Sequence, residues 1–473
     1  MTLLWCLRRW GLFIAVVVAH NEVVQIQARP ASPVGVNTDV SKINQEATDR
    51  GHVLNPSQEE GMQLLMKKQR GSTVRRFSQS AVDKIAISAK RKPAIVSEAL
   101  IIPEDERRTR SQHSSTIVEV APGEMLAAWF GGTFERMGDV GIWLSRFKDG
   151  RWGEAKEIVR PMASKIDGET WMEPCWNPIL VQNPHTNTLF LFIHVGFDVR
   201  TWRPYMLRSV DKGATWDAPR QLPRNLIGPA KNKPIVLSDG TMLAGASDES
   251  RGWTCHVEVS RDNGETWKRS PTIAYDGWVI QPTLFETSKP GEVRMLMRSK
   301  SGVVVTASSR GDYLKGWSKG GETSVPNPNS GIDAVMLKDG RVLLVYNPLL
   351  RGRNILALGI SHDDGLTFKK ALLLENTAQT WPQSPECTSA TSAGKRPARL
   401  KPEYSYPAII QSPSTGLVHI TYTFSYFAAG RRCDGRENIK HVVIDPCELP
   451  HSEDSAKSCP ARSKPSKITR QGL

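Results

Sequence analysis

Three stretches of the chain repeat one short pattern: SVDKGATW at Ser209–Trp216, SRDNGETW at Ser260–Trp267 and SHDDGLTF at Ser361–Phe368. Each follows a run of alternating apolar residues (YMLRSVD, CHVEVSRD, ILALGISHD) and precedes another short extended segment. Ser and Asp side chains can bond turn amides, Gly supplies a positive φ, and the aromatic residue can pack on neighbouring structure. The pattern therefore predicts a hairpin between antiparallel strands, with a structural rather than a catalytic role for its aspartates.

The hairpins belong to a larger unit that occurs six times. An apolar strand opens each unit: HSSTIVEV from His113, NPILVQN from Asn177, KPIVLSD from Lys233, QPTLFET from Gln281, DAVMLKD from Asp333 and YPAIIQS from Tyr406. A tight turn, a second strand (MLAAWFGG, LFLFIHVG, MLAGASDE, VRMLMRS, VLLVYNP, VHITYTF), a variable loop and a third strand follow. The hairpin pattern, degraded in RFKDGRW and SRGDYLKGW, closes the first five units. Repeated three- to four-stranded antiparallel units predict an all-β, six-bladed β-propeller with four-stranded blades. The sixth unit ends at IKHVVID without a fourth strand, and IVSEALIIPED, from Ile95, precedes blade one without a blade of its own. That N-terminal strand is expected to close the last blade and cover its edge.

The flanks read differently. Residues 1–28 carry Arg8 and Arg9 ahead of WGLFIAVVVA, too short to span a bilayer and of the size of a signal-peptide core, with cleavage between about Ala19 and Ala28. Secretion follows as the expectation, without stable membrane insertion after cleavage, with an uncleaved signal anchor as the alternative. Residues 29–94 are polar and aperiodic and are expected to form a disordered, propeptide-like segment; 95–447 form the propeller; 448–473 form a disordered basic tail. About half of the formal charge of +14 lies in these flanks, which argues against a nucleic-acid-binding stripe on the folded part. The six cysteines beyond Cys6 have no CxxC spacing, so no metal site and no cofactor is expected.

The repeat also sorts loops onto faces. If the hairpins join strands three and four at one end, the loops between strands two and three, and between consecutive blades, must emerge at the other. The latter carry SQHS (His113), TWMEPCWNP (Glu173, Trp176, Asn177), IGPAKNKP (Lys231, Lys233), DGWVIQP (Trp278, Gln281), PNPNSGID (Asn329, Asp333) and KPEYSYP (Glu403, Tyr404, Tyr406). The loops after strand two carry GGTFERMGD (Glu135, Asp139), DVRTWR (Arg200, Trp202, Arg203), MRSKSG (Arg298), LLRGRN (Arg351, Arg353) and AAGRRCDGRE (Arg431, Arg432). Arginine repeated beside Trp and Tyr suits planar recognition of a carboxylate and stacking on a sugar ring.

These motifs, with STIVEVAPGEMLAAWFGGTFE, DVGIWLSR, EPCWNP, NPNSGIDAVML and EYSYPAIIQ, resemble the BNR-repeat (Asp-box), sialidase-like proteins from about His113 to Asp445. The resemblance implies a six-bladed propeller and hydrolysis of a terminal sialic acid or related acidic sugar from a glycoconjugate, with retention. A tyrosine nucleophile avoids the repulsion that an anionic nucleophile would meet from the sugar carboxylate. On matching positions the resemblance implies Tyr404 as nucleophile with Tyr406 as its rival, Asp139 as acid/base with Glu135 as its rival, and Glu173 or Glu403 activating the tyrosine. Arg298 and Arg351 or Arg353 would contact the carboxylate, with Arg203, Lys233, Trp176, Asp333 and His113 also lining the substrate site. The chain departs from the family where HSST replaces a Phe-Arg-Ile-Pro-like motif, leaving Arg110 or Arg203 to substitute for that arginine. A non-catalytic glycan-binding propeller, and a hydrolase or lyase for another acidic sugar using His113 and Glu173, are the alternative expectations.

Overall fold

A computed structural model describes residues 5–9, 12–19, 22–27, 94–250, 252–376, 402–425 and 436–450, the first three ranges as backbone only. The chain divides into two compact units, Met1–Ser88 and Ala89–Leu473. In the first, Trp5–Arg9, Leu12–Ala19 and Glu22–Gln27 form an antiparallel meander. The expected propeptide-like segment, apart from Ala94, and the tail beyond Pro450 lie outside the described residues. No helix among the described residues is long and apolar enough to cross a membrane.

The second unit is the expected six-bladed propeller. The innermost strands are Ser111–Ala121, Cys175–Gln182, Ile235–Val236, Val279–Glu286, Asp333–Met336 and Tyr404–Gln411. Second and third strands follow antiparallel in every blade, and Ile95–Leu100 pairs with Asn438–Ile444 to complete blade six, as the unpaired sixth unit requires. Blade one differs from the expectation: Arg151–Trp152 and Lys156–Val159 both pair with its third strand. A two-stranded hairpin, Met162–Ile166 with Glu169–Glu173, is inserted before blade two, which the sequence reading missed.

Buried apolar faces fuse neighbouring blades. Blades one and two share a cluster containing Leu126, Phe130, Ile142, Leu180, Leu191 and Ile193; blades five and six share one containing Leu343, Leu358, Ile409, Ile420, Tyr404 and Tyr422. The repeated hairpins dock these layers. In the first, Asp211 accepts from the Thr215 amide (2.9 Å) and hydroxyl (2.6 Å), while the Gly213 amide donates to Ser209 Oγ at 2.7 Å. The same bonds recur around Asp262 and Asp363. Each glycine has a positive φ and abuts the preceding blade: a Cβ on Gly213 would lie 2.4 Å from Leu126, and one on Gly365 2.7 Å from Phe285. The hairpins thus mark the structural end of blades two, three and five, as expected.

Candidate functional site

Four of the six innermost strands begin with a bulge of one design. The register slips between His113 and Thr116, Trp176 and Ile179, Ile280 and Thr283, and Ser405 and Ala408. Inside each slip one residue has a positive φ: Ser114 (55°), Asn177 (39°), Gln281 (53°) and Tyr406 (51°). Proline follows the last three, which suits a position that gives nothing to the ladder. The extra residue turns a side chain out of the blade's alternation and toward the axis. Gln281 of blade four and Tyr406 of blade six meet there, the amide donating to the phenolic oxygen at 3.4 Å.

Around this pair a charged cluster forms. Arg298 Nη1 donates to Tyr406 Oη at 2.7 Å and to Gln281 Oε1 at 2.9 Å, while its Nε donates to Asn329 Oδ1 at 2.8 Å. Arg353 donates to Glu403 Oε1 at 2.8 Å, and Arg436 donates to Glu403 Oε2 at 3.0 Å and to Glu135 Oε2 at 2.6 Å. The Arg298 and Arg353 guanidinium carbons lie 5.7 and 5.4 Å from the Tyr406 ring centre. Burial would raise the Glu403 carboxyl, but Arg436 and Arg353 outweigh it, and Glu403 is held well below the ordinary carboxylate range. His113 packs against the Tyr406 ring, centroids 4.2 Å apart, and its Nδ1 lies 2.8 Å from Thr423 Oγ1. Burial first, then Arg436, Arg353 and Arg298, push this histidine well below its usual range, with Glu403 opposing; the imidazole is neutral at neutral pH.

The structure separates the expected residues into two groups. Tyr406, His113, Arg298, Arg353 and Glu403 are brought together. Tyr404 is not: it is fully buried in the core shared by blades five and six, against Phe424. Glu173 and Arg203 form a bidentate pair with each other where the inserted hairpin meets blade two. Trp176 is buried, donates to Gly196 O at 2.7 Å and packs on Trp202 and Phe130. Lys233 donates to Asp333 at 2.9 Å, and Asp333 also accepts from Thr283 and from the Ile409 amide, which ties four blades together. Asp139 is exposed and accepts from the Thr133 amide and hydroxyl in its own loop, whereas Glu135 on that loop reaches the cluster through Arg436. Arg351 is exposed, Arg110 lies over the Phe134 ring, and Arg431 and Arg432 are outside the described residues.

Three contributors escaped the sequence reading as site residues. Arg436 follows Arg431 and Arg432 in sequence and stands just before the third strand of blade six. Glu249, in the SDES stretch after the second strand of blade three, lies beside Gln281 and Arg298, and burial raises its pKa. Lys231, read only as one lysine of its loop, is buried at the axis, its ammonium donating to Asn232 Oδ1 (2.9 Å), Ile332 O (3.2 Å) and Pro407 O. On the rim, Lys300 is sandwiched between Trp253 and Trp278, 3.9 and 3.7 Å from the ring centres. No group of three or more metal-ligating His, Cys, Asp or Glu side chains occurs among the described residues.

Solved structures share this architecture at low identity. A protein of unknown function from Dyadobacter fermentans matches with TM-score 0.56 and 17% identity, over 74% of this chain and 98% of its own. The Hadza microbial sialidase Hz136 matches with TM-score 0.57 and 16% identity, over 75% and 69%. The NanB sialidase from Streptococcus pneumoniae, solved with a chlorobenzylammonio-ethanesulfonate, matches with TM-score 0.53 and 13% identity, over 79% and 73%. At such identities the likeness is one of fold. Residues 123–420 match the family model described as BNR repeat-like domain, a span running from the first turn of blade one into the second strand of blade six. With the repeated hairpins, the blade count and more than half of the chain in agreement, this chain belongs to the BNR repeat-like family and is built as a sialidase-like propeller.

Proposed function

We propose that the funnel processes a terminal sugar bearing a carboxylate, as a glycosidase of sialidase type in which Tyr406 rather than Tyr404 attacks the anomeric carbon. The observation that carries this reading is the meeting of Tyr406 Oη with Arg298 and Gln281, beside Arg353, Arg436 and Glu403, on side chains drawn from blades four, five and six. A neutral phenol can approach a carbon that carries a carboxylate; as its oxygen bonds that carbon and the glycosidic C–O bond breaks, its proton passes to the neutral His113 beside it, and the arginines neutralise and orient the carboxylate. Glu135 is tied to Arg436 as an ion pair, so the exposed Asp139 carboxyl on the same blade-one loop is the group assigned to protonate the leaving oxygen. Assays on fluorogenic sialosides and aryl uronides test the reading. Tyr406→Phe is expected to lower turnover at least about a thousandfold, while Tyr404→Phe keeps the chemistry; equal turnover in wild type and Tyr406→Phe would sink it.

A second reading is supported by one contact. The neutral His113 lies against Tyr406, whose oxygen meets Arg298 and Gln281 rather than a glutamate. A histidine base and a tyrosine acid with an arginine-bound carboxylate suit β-elimination from a uronate: the base takes the proton α to the carboxylate, the C–H electrons form the C=C bond, and the leaving oxygen takes a proton as its C–O bond breaks. A product absorbing as a conjugated unsaturated uronate would select elimination, and a saturated product with retained configuration would select hydrolysis.

We also propose entry into the secretory route, supported by the basic-then-apolar start of the chain and by a disulfide at Cys447. N-terminal sequencing of the exported protein is expected to find the start removed.

A further inference from the structure

Among the described residues, half of the exposed large apolar side chains lie on two adjoining segments beside the funnel mouth. Phe134 and Met137 stand on the blade-one loop that carries Glu135, and Ile166, Trp171 and Met172 stand on the inserted hairpin. The two segments touch: a Cβ on Gly138 would lie 2.9 Å from Met172 O. The hairpin is anchored at its base by the Glu173–Arg203 pair, and its turn places Asp167 and Gly168 at positive φ, the geometry of a tight two-residue turn. Its tip, Ile166, Asp167, Glu169 and Trp171, forms one side of an open recess of about 460 Å³ whose other side is Phe197 on the blade-two loop.

A solvated hairpin has no folding reason to present an indole that is 51% exposed beside two carboxylates. The combination has a chemical reading. A flat aromatic face takes the C–H face of a pyranose, and carboxylates accept hydrogen bonds from vicinal hydroxyls. The same carboxylates repel an anionic sugar, which the arginines of the funnel attract. The hairpin is linked to the funnel cluster through the Glu135 loop, which meets Met172 at Gly138 and bonds Arg436 through Glu135.

We propose that the hairpin recess is a binding subsite for the neutral sugars on the leaving-group side of the substrate, with Trp171 as the stacking platform and Asp167 and Glu169 as hydroxyl acceptors. The proposal rests on the funnel's taking the acidic terminal sugar, and it gives the protein a two-part specificity: anionic residue in the funnel, neutral glycan on the rim. The hairpin's place between blades one and two sets the direction in which the chain leaves.

The full-length protein and Trp171→Ala are compared in two measurements. In the first, kcat/KM is read on an aryl glycoside of the acidic sugar and on the same sugar capping a neutral tetrasaccharide. Trp171→Ala is expected to lower kcat/KM about tenfold on the capped tetrasaccharide and to leave the aryl glycoside unchanged. In the second, calorimetry measures binding of the uncapped tetrasaccharide, lacto-N-tetraose, which needs no turnover; binding is expected in the wild type and lost in Trp171→Ala and in Asp167→Asn/Glu169→Gln. Turnover with no difference between the two substrates, or no binding of lacto-N-tetraose by the wild type, overturns the subsite. Tetrasaccharide binding that depends on Trp171 without turnover of any acidic glycoside keeps the subsite and overturns the reading of the funnel.

Discussion

At the scale of single residues, one inserted position decides which tyrosine can react. Residues two apart on a strand share a face, so Tyr404 and Tyr406 are equivalent by alternation alone. The bulge between Ser405 and Ala408 breaks that equivalence, sending Tyr404 into the core and Tyr406 to the axis. Lys231 holds the turned-out backbone from across the axis, since its ammonium donates to the carbonyl of Pro407. Burial, then the like charges of Lys233 and Arg298, lower its pKa to about 7 against the pull of Asp333. The unfolded chain keeps that proton up to about 10.5. Between about pH 7 and 10.5 the unfolded state therefore binds more protons, and stability must rise with pH across that window by up to a few kcal/mol. Urea midpoints from pH 6.5 to 10 are expected to climb in the wild type and to lose this slope in Lys231→Met; parallel slopes would remove Lys231 as the cause.

At the scale of elements, the repeated hairpin and the bulge show what a sequence displays and what it hides. The hairpin is legible because its Ser, Asp, Gly and Thr each satisfy a local backbone demand, so the same letters recur wherever the turn recurs. Gly365 illustrates both demands: its φ of 79° disfavours any side chain, and a Cβ would meet Phe285 at 2.7 Å. Gly365→Ala is expected to destabilise more than Asp363→Ala, which removes only the turn's acceptors; neither is expected to change turnover per folded molecule. Thermal midpoints check the order, with a shift of several degrees for the glycine variant, and the reverse order would contradict the docking role. The bulges were written only in the x-Pro steps Asn177–Pro178, Gln281–Pro282 and Tyr406–Pro407, a weak signal that propensity alone cannot separate from an ordinary strand start. The inserted hairpin was hidden for another reason: MASKIDGETWME is short, partly polar and lies between two blades whose own strands account for the rhythm. Lys233 and Asp333 misled because an inter-blade ion pair and a substrate contact draw on the same residue types at the same loop ends.

At the scale of the molecule, the ring must close, and the seam between blades six and one carries the closure. The N-terminal strand completes blade six, the Ile101 amide donates to Ile439 O at 2.9 Å, and Asn438 exchanges bonds with the backbone of Ile102. Farther along the seam, Trp152 of blade one donates its indole N–H to His441 Nδ1 at 3.2 Å, and His441 Nε2 lies 3.0 Å from His419 Nδ1. An indole nitrogen only donates, so His441 Nδ1 must accept, its proton sits on Nε2, and His419 Nδ1 accepts in turn. Protonating either Nδ1 sets two donors face to face. Burial lowers His419 to about 4, and burial followed by His419 lowers His441 well below its usual range. The folded state thus keeps both rings neutral while the unfolded chain protonates them near 6.5. Below that value the unfolded state binds more protons, and stability must fall as pH drops from about 6.5 toward 4. His441→Gln keeps an acceptor for Trp152 and cannot titrate, so its urea midpoint is expected to decline less over this range than that of the wild type. If the two proteins lose stability in parallel on acidification, the histidine seam is not what makes ring closure sensitive to acid, and the buried His194 and His113 become the groups to vary.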